Sequence, residues 1–550
     1  MNDWRNRIGL FLVAASFAAS VIWILVRPSP GDGAPTDRQE PVVIRFAHVT
    51  IHPGIIRAYD DAIRDYEKLN PGVRVVQMPV PIRMWSAWLR TQMVGGNAPD
   101  LADMDRGQPD EFLARYFLPL DEWVEQPNPY NVGTELEGRR WRETFINDLR
   151  SGRAYRVNLQ QVYGIPFTIQ TVRLFANANL LREITGSTKV PENYAELIAL
   201  CHEIEAYSER TGRTILPFAG SVNHTHHYLN RLFGSQTQRL MNEPAVNVHR
   251  SFVPIVPEVY MTAYLAYLRG SWSWRDPAVA SGLTMMREIA GYTTTGFLQL
   301  QRDDSLFQFA QGRALFLPTG SWDADTILAG VPFPMAILPV PLPTTDDGVR
   351  GSLTLGPISD LSETPGNAVG VARSSRHPEI AVDFLRYLTS QPVSRRVMQD
   401  SNRLSSILGV APPESIAGFA PRLHGFPLGF HPGLTPEGSE AERVYRSLLH
   451  RLVSRGGSVE DFTDAIERVF PAAIMADLRR FNATARETSR VDDALLVAGW
   501  VGPEAKEATT SRRLDLMLET QTLRELAAAQ AEWATANAQL SSQTPAAKAP

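Results

Sequence analysis

The sequence predicts an α/β fold, because short apolar strands alternate with segments of helical periodicity between residues 42 and 104. Residues 42–47 (VVIRFA) are typical of a strand, and residues 55–69 place apolar side chains at the spacing of an amphipathic helix. Residues 70–72 (NPG) end that helix, and residues 73–76 (VRVV) begin a second strand. A strand–helix–strand order favours a mainly parallel sheet that is covered by helices.

The next unit of this pattern ends at a candidate ligand loop. Residues 83–94 have helical character, two glycines close the helix, and residues 100–104 suit a buried strand. Asp105 and Arg106 follow this strand directly. Open α/β sheets bind ligands beyond the carboxyl ends of their strands, so we expect both side chains to face a binding site.

Short motifs of one protein family follow each other in order between residues 42 and 470. The motifs are residues 95–124 (GGNAPDLADMDRG to LPLDEWV), 163–167 (YGIPF), 174–177 (LFAN), 191–194 (PENY), 309–314 (FAQGRA), 320–322 (GSW) and 381–390 (AVDFLRYLTS). Together they resemble family 1 extracellular solute-binding proteins, the maltose-binding-protein-like sugar receptors of ABC importers. The resemblance implies a type II-like periplasmic-binding-protein fold, in which two α/β lobes close on a ligand by hinge motion.

The resemblance also sets the expected boundaries of the two lobes, each of which is discontinuous in sequence. The N-terminal lobe is expected to contain residues 42–166 and 338–390, and the C-terminal lobe residues 167–337 and 391–475. Residues beyond about 475 are additional to the usual fold, so we expect them to be dispensable for ligand binding.

A helical C-terminal extension is predicted over residues 476–540. Leu526, Trp533 and Leu540 recur every seven residues there, in a stretch rich in Ala, Gln and Glu. This apolar seam either packs against the body of the protein or mediates self-association. The last residues, 541–550, are predicted to be a disordered tail.

The N-terminal region predicts a membrane anchor. Residues 8–26 contain no charged side chain, and at about 1.5 Å per residue they nearly span about 30 Å of hydrocarbon. Arg5 and Arg7 precede this run, which favours a cytoplasmic N-terminus. We therefore expect an uncleaved transmembrane signal anchor, a linker over residues 27–41, and a main body in the periplasm or exterior. A cleaved signal peptide is the alternative.

Composition and motifs exclude several classes of function. The net charge is −5 and there is no long basic run, so we expect no nucleic acid as a partner. Cys201 is the only cysteine, and its apolar neighbours favour a core position. The sequence has no phosphate-binding loop, dinucleotide fingerprint, zinc-protease motif or nucleophile elbow. We therefore expect a binding protein that needs no cofactor and is not an enzyme.

Three candidate ligand residues come from the resemblance. Asp105 and Arg106 match the acidic and basic pair that contacts sugar hydroxyls in the first lobe, and Trp322 matches the aromatic side chain that stacks on the sugar in the second. Such residues suit a sugar, because its hydroxyls need charged or planar hydrogen-bonding groups and its hydrocarbon face stacks on a ring. The alternatives are a surface ion pair and a core tryptophan.

Six further residues are candidates for ligand contact. The resemblance implies two of them, His48 and Arg403, because family members place polar residues or a similar turn there, and the other four are candidates from their positions. The six are His48 after the first strand, Phe167 and Thr168 at the hinge motif, Asn223 in the run NHTHH, Trp272 in the run SWSW, and Arg403 in the turn NRLS. The alternatives are an ordinary loop histidine, hinge packing, and an apolar anchor under a loop for Trp272. The NHTHH run also has the side chains of a metal site, but no acidic or cysteine cluster accompanies it, so we expect no metal.

The predicted function is capture of a sugar or oligosaccharide between two lobes, followed by delivery to the permease subunits of an ABC transporter. A membrane-anchored ligand sensor without a transport role is one alternative. A carbohydrate-active enzyme is the other, although no sequence rule pairs two carboxylates at the separation that glycoside hydrolysis needs.

Overall fold

The computed structural model describes residues 41–543 except 105–109, 151–153, 244–245, 247–258, 361–365, 367 and 431–437. The predicted anchor over residues 8–26 and almost all of the linker over 27–41 lie outside the described residues, as do Asp105, Arg106 and most of the predicted tail. Within the described part of the chain, no helix combines the length and apolar character that crossing a membrane requires.

Strands alternate with helices up to residue 104, and runs of several strands or several helices follow. The strands are β1 (Val42–His48), β2 (Val73–Pro79), β3 (Leu101–Met104), β4 (Tyr155–Arg156), β5 (Gln161–Val162), β6 (Ile165–Pro166), β7 (Thr168–Ile169), β8 (Val172–Asn177), β9 (Leu216–Phe218), β10 (Ala314–Gly320), β11 (Met335–Pro339), β12 (Ala368–Val371) and β13 (Leu404–Ser405). The α-helices are α1 (Pro53–Leu69), α2 (Ile82–Val94), α3 (Asp110–Tyr116), α4 (Asp121–Val124), α5 (Ala178–Thr185), α6 (Tyr194–Thr211), α7 (Val222–Gln236), α8 (Gln238–Asn242), α9 (Val259–Leu268), α10 (Pro277–Gly291), α11 (Arg302–Ala310), α12 (Ala324–Gly330), α13 (Gly348–Leu353), α14 (Pro378–Leu388), α15 (Gln391–Ser401), α16 (Glu440–Val453), α17 (Val459–Val501) and α18 (Ala508–Gln543).

The first lobe is built on a five-stranded sheet in the order β2-β1-β3-β12-β6. β1 pairs in parallel with β2 and β3, as the strand–helix–strand pattern predicted, whereas β12 is antiparallel to β3 and β6. Helix α1 starts at Pro53 and buries Ile55, Tyr59 and Ile63 along one face, because these positions recur at helical spacing. The sequence prediction for this half of the lobe is confirmed.

The second lobe is built on a four-stranded sheet in the order β11-β8-β10-β9. β8 is antiparallel to both of its neighbours, and β9 is parallel to β10. Every side chain of β10 is buried, so this inner strand is covered on both faces. The strand ends at Gly320, where the chain leaves the sheet. Cys201 is fully buried in the core of this lobe, which confirms its predicted core position.

The structure moves two of the expected lobe boundaries. Residues 338 and 339 belong to β11, which pairs with β8, so the chain is still in the second lobe there and enters the first-lobe sheet again only at β12. Helix α15 packs against α1, and Val397 and Met398 fill the first-lobe core. The last crossing therefore lies near β13, which pairs with β7, rather than at residue 391.

The C-terminal extension is a long helical hairpin. Helix α17 has 43 residues and α18 has 36, and the short turn between them makes the two helices antiparallel. Residues 476–540 are α-helical apart from the connection between Val501 and Ala508, and α17 starts within the second lobe at Val459 and runs through residue 475 without a break. Ala531 and Ala534 of α18 lie in the second-lobe core, so the extension packs against the body of the protein.

Candidate functional site

A small cavity of about 50 Å³ lies where the carboxyl end of β1 meets the hinge strands. It is lined by Phe46, His48, Thr50, Ile55, Tyr59, Asp103, Phe167, Thr168, Gln170, Val369 and Arg403. Four predicted ligand residues, His48, Phe167, Thr168 and Arg403, are therefore brought together. Asp103 and Gln170 were not predicted from the sequence.

Arg403 is the charged group that the hinge places in this cavity. Helix α15 ends at Ser401, and Asn402 follows it in the left-handed conformation and turns the chain. The next strand, β13, pairs with β7, and Arg403 lines the same cavity as Thr168. Burial lowers the pKa of the guanidinium, and its Nε atom has no hydrogen-bond partner among the described residues. A buried cation with unused donor capacity is suited to bind oxygen atoms of a ligand.

His48 and Asp103 form the first-lobe wall of the cavity. His48 Nε2 lies 2.8 Å from Gln77 Oε1, and burial lowers the pKa of the ring to about 4, so the imidazole is neutral at pH 7. Asp103 lies next to the last residue of β3, and its Oδ2 atom accepts a hydrogen bond from the Val49 amide at 2.7 Å. Both side chains are thus fixed by bonds within the first lobe before any ligand binds.

Trp322 lies in the second lobe on the short 3-10 turn Ser321–Asp323, directly after β10. Its half-buried ring folds back over Gly320, where a Cβ atom would lie only 2.0 Å from ring atom Cζ3. The ring also contacts His227 edge-on, with centroids 5.3 Å apart. The glycine is therefore what allows the ring to adopt this position.

A buried polar network fixes the residue that follows Trp322. Asp323 Oδ2 accepts a hydrogen bond from Thr319 at 2.6 Å and lies 3.1 Å from His224 Nε2, while Arg302 forms an ion pair with Oδ1. Burial is the main cause that lowers the pKa of His224, to about 4. The network ties the turn that carries Trp322 to α7 through His224 and to α11 through Arg302.

Ser305, His224 and Asp323 have the residue types of a nucleophilic triad. The Ser305 hydroxyl lies 2.6 Å from His224 Nδ1. However, Ser305 and Asp323 are 0% exposed and His224 is 2% exposed, so no substrate atom reaches the serine in this arrangement. The Ser305 hydroxyl also has the carbonyl of Arg302 within 2.9 Å. These contacts support a structural role and not catalysis.

The two lobes touch across the cleft near α1. A Cβ atom on Gly54, in the first turn of α1, would lie 3.1 Å from Asp325 Oδ2 of the second lobe. The cavity at the hinge, about 50 Å³, is far below the roughly 300–1,000 Å³ of a typical ligand site. The lobes are therefore close together in this structure, and an oligosaccharide would require them to move apart.

The other predicted site residues fall in different surroundings. Trp272 is a core residue: its ring nitrogen donates to the Ala263 carbonyl at 2.7 Å, and the ring packs against Phe430 and Phe470. The stacking role predicted for Trp272 is therefore corrected to that of an apolar anchor. Asn223 is exposed on α7, one turn before His227, and its ligand role stays a prediction.

Asp105 and Arg106 directly follow β3 in sequence but lie outside the described residues, so their roles also stay predictions. No group of three or more potential metal ligands occurs within the described ranges. A larger cavity, about 670 Å³, lies in the second lobe around Leu338, Leu342 and Pro357, and no predicted ligand residue lines it.

Comparison with known proteins identifies the family. A family model for bacterial extracellular solute-binding proteins matches residues 52–393. The protein belongs to this family. It is also 24% identical over 335 residues to the multiple sugar-binding protein of Streptococcus mutans, an alignment that covers 60% of this chain and 67% of that protein. The family predicted from the ordered motifs is confirmed.

Solved structures of solute-binding proteins share the fold. The apo form of RafE from Streptococcus pneumoniae has a TM-score of 0.52 and 19% identity, covering 80% of this chain and 99% of that one. A probable secreted solute-binding lipoprotein from Streptomyces coelicolor has a TM-score of 0.52 and 15% identity, covering 79% and 99%. The predicted two-lobed α/β fold is confirmed, and about a fifth of this chain has no counterpart in either structure.

Proposed function

We propose that this solute-binding protein captures a sugar or oligosaccharide between its two lobes and releases it unchanged to the permease of an ABC importer. The name of its curated relative, multiple sugar-binding protein, supports a sugar as the ligand. The observation that carries the proposal is Trp322, a half-buried ring on the short segment that reaches the first lobe through Asp325. A ring in this place offers a flat apolar face to a sugar.

The hinge and first lobe supply the polar half of the proposed site. The Arg403 guanidinium donates to ligand oxygens, and the Thr168 hydroxyl donates or accepts beside it. Asp105 and Arg106, which directly follow β3, are proposed to bind further hydroxyls, and Asn223 is proposed to bind from the second lobe. An aromatic face on one side and hydrogen-bonding groups on the other match the two kinds of surface on a sugar.

Ligand capture acts by shifting the equilibrium between open and closed lobes. A sugar that contacts Trp322 and Arg403 at once has more contacts in the closed arrangement than in the open one, so it favours closure. The proposed permease subunits recognise that closed arrangement of both lobes. The family is one of binding proteins, and no bond of the ligand is made or broken in this scheme.

We also propose that residues 8–26 anchor the protein in the cytoplasmic membrane, with residues 27–41 as a linker and the main body outside. The support is the unbroken uncharged run of this segment. N-terminal sequencing of membrane-extracted protein tests the anchor, and the original N-terminus is the expected result. Recovery of soluble protein alone, beginning after Ala19 or Ser20, would contradict the anchor while leaving the sugar-binding proposal intact.

A thermal-shift screen of mono- and oligosaccharides tests the proposed function. A ligand present at 100 times its Kd stabilises the protein by about 2.7 kcal/mol. For a sugar found in this way, Trp322→Ala should raise Kd about tenfold, because the stacking face is lost. Trp500→Ala is the matched control, since Trp500 is an exposed tryptophan on the extension. Unchanged affinity in a folded Trp322→Ala variant would contradict the proposed site.

A further inference from the structure

The C-terminal hairpin of α17 and α18 is anchored in the second lobe. The first half of α17 contributes Phe470 and Ile474 to the second-lobe core, and the second half of α18 contributes Ala531 and Ala534 to the same core. Because the two helices are antiparallel, these segments lie side by side at the base of the hairpin, and the base is fixed on one lobe. The hairpin therefore moves with the second lobe when the lobes rotate.

The middle of the same hairpin contacts the first lobe. Arg524 of α18 donates to Asn158 Oδ1 at 2.6 Å, and Thr520 receives a hydrogen bond of 3.1 Å from the Gln160 side chain. Asn158 in turn donates to Asp110 at 2.6 Å. Asn158 and Gln160 lie in the turn between β4 and β5, next to first-lobe core residues.

The Arg524 contact is buried and charged. Arg524 is 8% exposed, and its second terminal nitrogen pairs with Asp492 of α17 at 2.5 Å. The side chain is thus held by its own hairpin while it donates to the first lobe. A hydrogen bond from a charged, buried donor contributes more than one between neutral groups at the surface.

The structure in which the hairpin contacts the first lobe also has a closed cleft between the lobes. Asp325 of the second lobe lies against the first turn of α1, and the hinge cavity is only about 50 Å³. Because the hairpin is fixed to one lobe and bonded to the other, rotation that opens the cleft must break or stretch its first-lobe bonds. The contacts therefore belong to the closed arrangement.

We propose that the C-terminal hairpin is a strap that stabilises the closed arrangement of the lobes, through Arg524 and Thr520 on the strap and Asn158 and Gln160 on the first lobe. The strap sets how readily the cleft opens, before any ligand is present. This inference goes beyond the proposed function, and it requires only that the lobes rotate about the hinge. The experiment that tests it does not depend on which class of ligand the protein binds, because it uses the unliganded protein.

The test measures the separation of the lobes in the unliganded full chain. Met84→Cys on the first lobe and Phe307→Cys on the second introduce exposed labelling sites, and the native Cys201 is fully buried. Spin labels on these two positions report the interlobe distance distribution. The perturbed protein carries Asn158→Ala and Thr520→Val, which remove side chains on both sides of the contact. Arg486→Ala is the control, because Arg486 pairs with Glu532 within the hairpin at the surface.

The expected result is a rise of about tenfold in the ratio of open to closed molecules for the doubly substituted protein, and no change for the control. Identical distance distributions in all three proteins would overturn the proposal. Far-UV circular dichroism establishes that the strap helices are intact in each protein.

A second variant tests the opposite direction. Gln160→Cys and Thr520→Cys, bridged by a short thiol-reactive crosslinker, tie the strap to the first lobe, since the native side chains already lie 3.1 Å apart. This variant carries no spin labels, and small-angle X-ray scattering measures how compact it is. The bridged protein should be uniformly compact, and the unbridged form of the same variant should contain a more extended, open population. A bridged protein that opens as freely as the unbridged one would also overturn the proposal. Failure of the sugar screen would leave both experiments interpretable.

Discussion

Replacing Gly320 with alanine should displace the Trp322 ring and little else. The added methyl carbon would lie 2.0, 2.2 and 2.3 Å from three ring atoms. Carbon atoms in contact are ordinarily about 3.5–4.0 Å apart, so the ring must move by about 1.5 Å or more. The ring is half-buried and has space toward solvent, so we expect a folding cost at the low end of overpacking, about 1 kcal/mol.

The displaced ring can no longer stack where a sugar would bind, so Gly320→Ala should raise Kd about tenfold, as Trp322→Ala does. Isothermal titration calorimetry measures this change with a sugar from the screen. If both substitutions act through the ring, the double variant should bind no more weakly than Trp322→Ala alone. Gly330→Ala is the matched control, because a Cβ atom there meets nothing within 4 Å. Wild-type affinity in a folded Gly320→Ala variant would refute the reasoning.

Three further predictions concern stability. Arg403→Met removes a buried guanidinium whose Nε atom has no hydrogen-bond partner among the described residues, so chemical denaturation should show equal or greater stability while calorimetry shows weaker binding; lower stability together with intact binding would contradict this. Burial holds the pKa of His224 at about 4, below its value of 6.5 in the unfolded chain, so its contribution is fully present above pH 6.5 and is lost as pH falls toward 4. Urea unfolding at pH 7 and pH 5 should therefore show a loss of about 2 kcal/mol from this group, and His224→Gln should lack that part of the pH dependence. Truncation at residue 480 removes Ala531 and Ala534 from the second-lobe core, so differential scanning calorimetry should show a lower Tm, and an unchanged Tm would contradict this packing argument. Sugar binding by the folded truncation is a separate measurement, which tests the expectation that the extension is dispensable for ligand binding.

The first-lobe strands and helices could be predicted because their signals are local. Helix α1 begins at a proline, has its apolar residues at helical spacing and stops at the Asn-Pro-Gly turn, so a short window contains all of the information. The lobe boundaries could not be placed as well. Residues 338 and 339 pair with β8, and α15 packs on α1. Each of these contacts joins segments that are more than a hundred residues apart, and no local pattern in the sequence reveals such a partner.

The candidate site was predicted in part for the same reason. Arg403, Thr168 and His48 lie at strand ends, which a sequence reading can find, and they meet in the cavity. Trp272 was misplaced because its alternation with serine is compatible with exposure, and the aromatic residue that buries it, Phe470, comes from α17. The only signal in the sequence for the buried network next to Trp322 was the run of histidines. His224 of this run contacts Asp323, which lies 99 positions further along the chain.

The core of the second lobe includes residues of α18, the helix over residues 508–543. Strand β8 begins at Val172 and shares one core with Ala534, which follows it by about 360 residues. Closing contacts over such a distance costs chain entropy before it yields any packing, and folds with distant contacts form slowly. A chain emerging from the ribosome therefore leaves this core incomplete until α18 has been made.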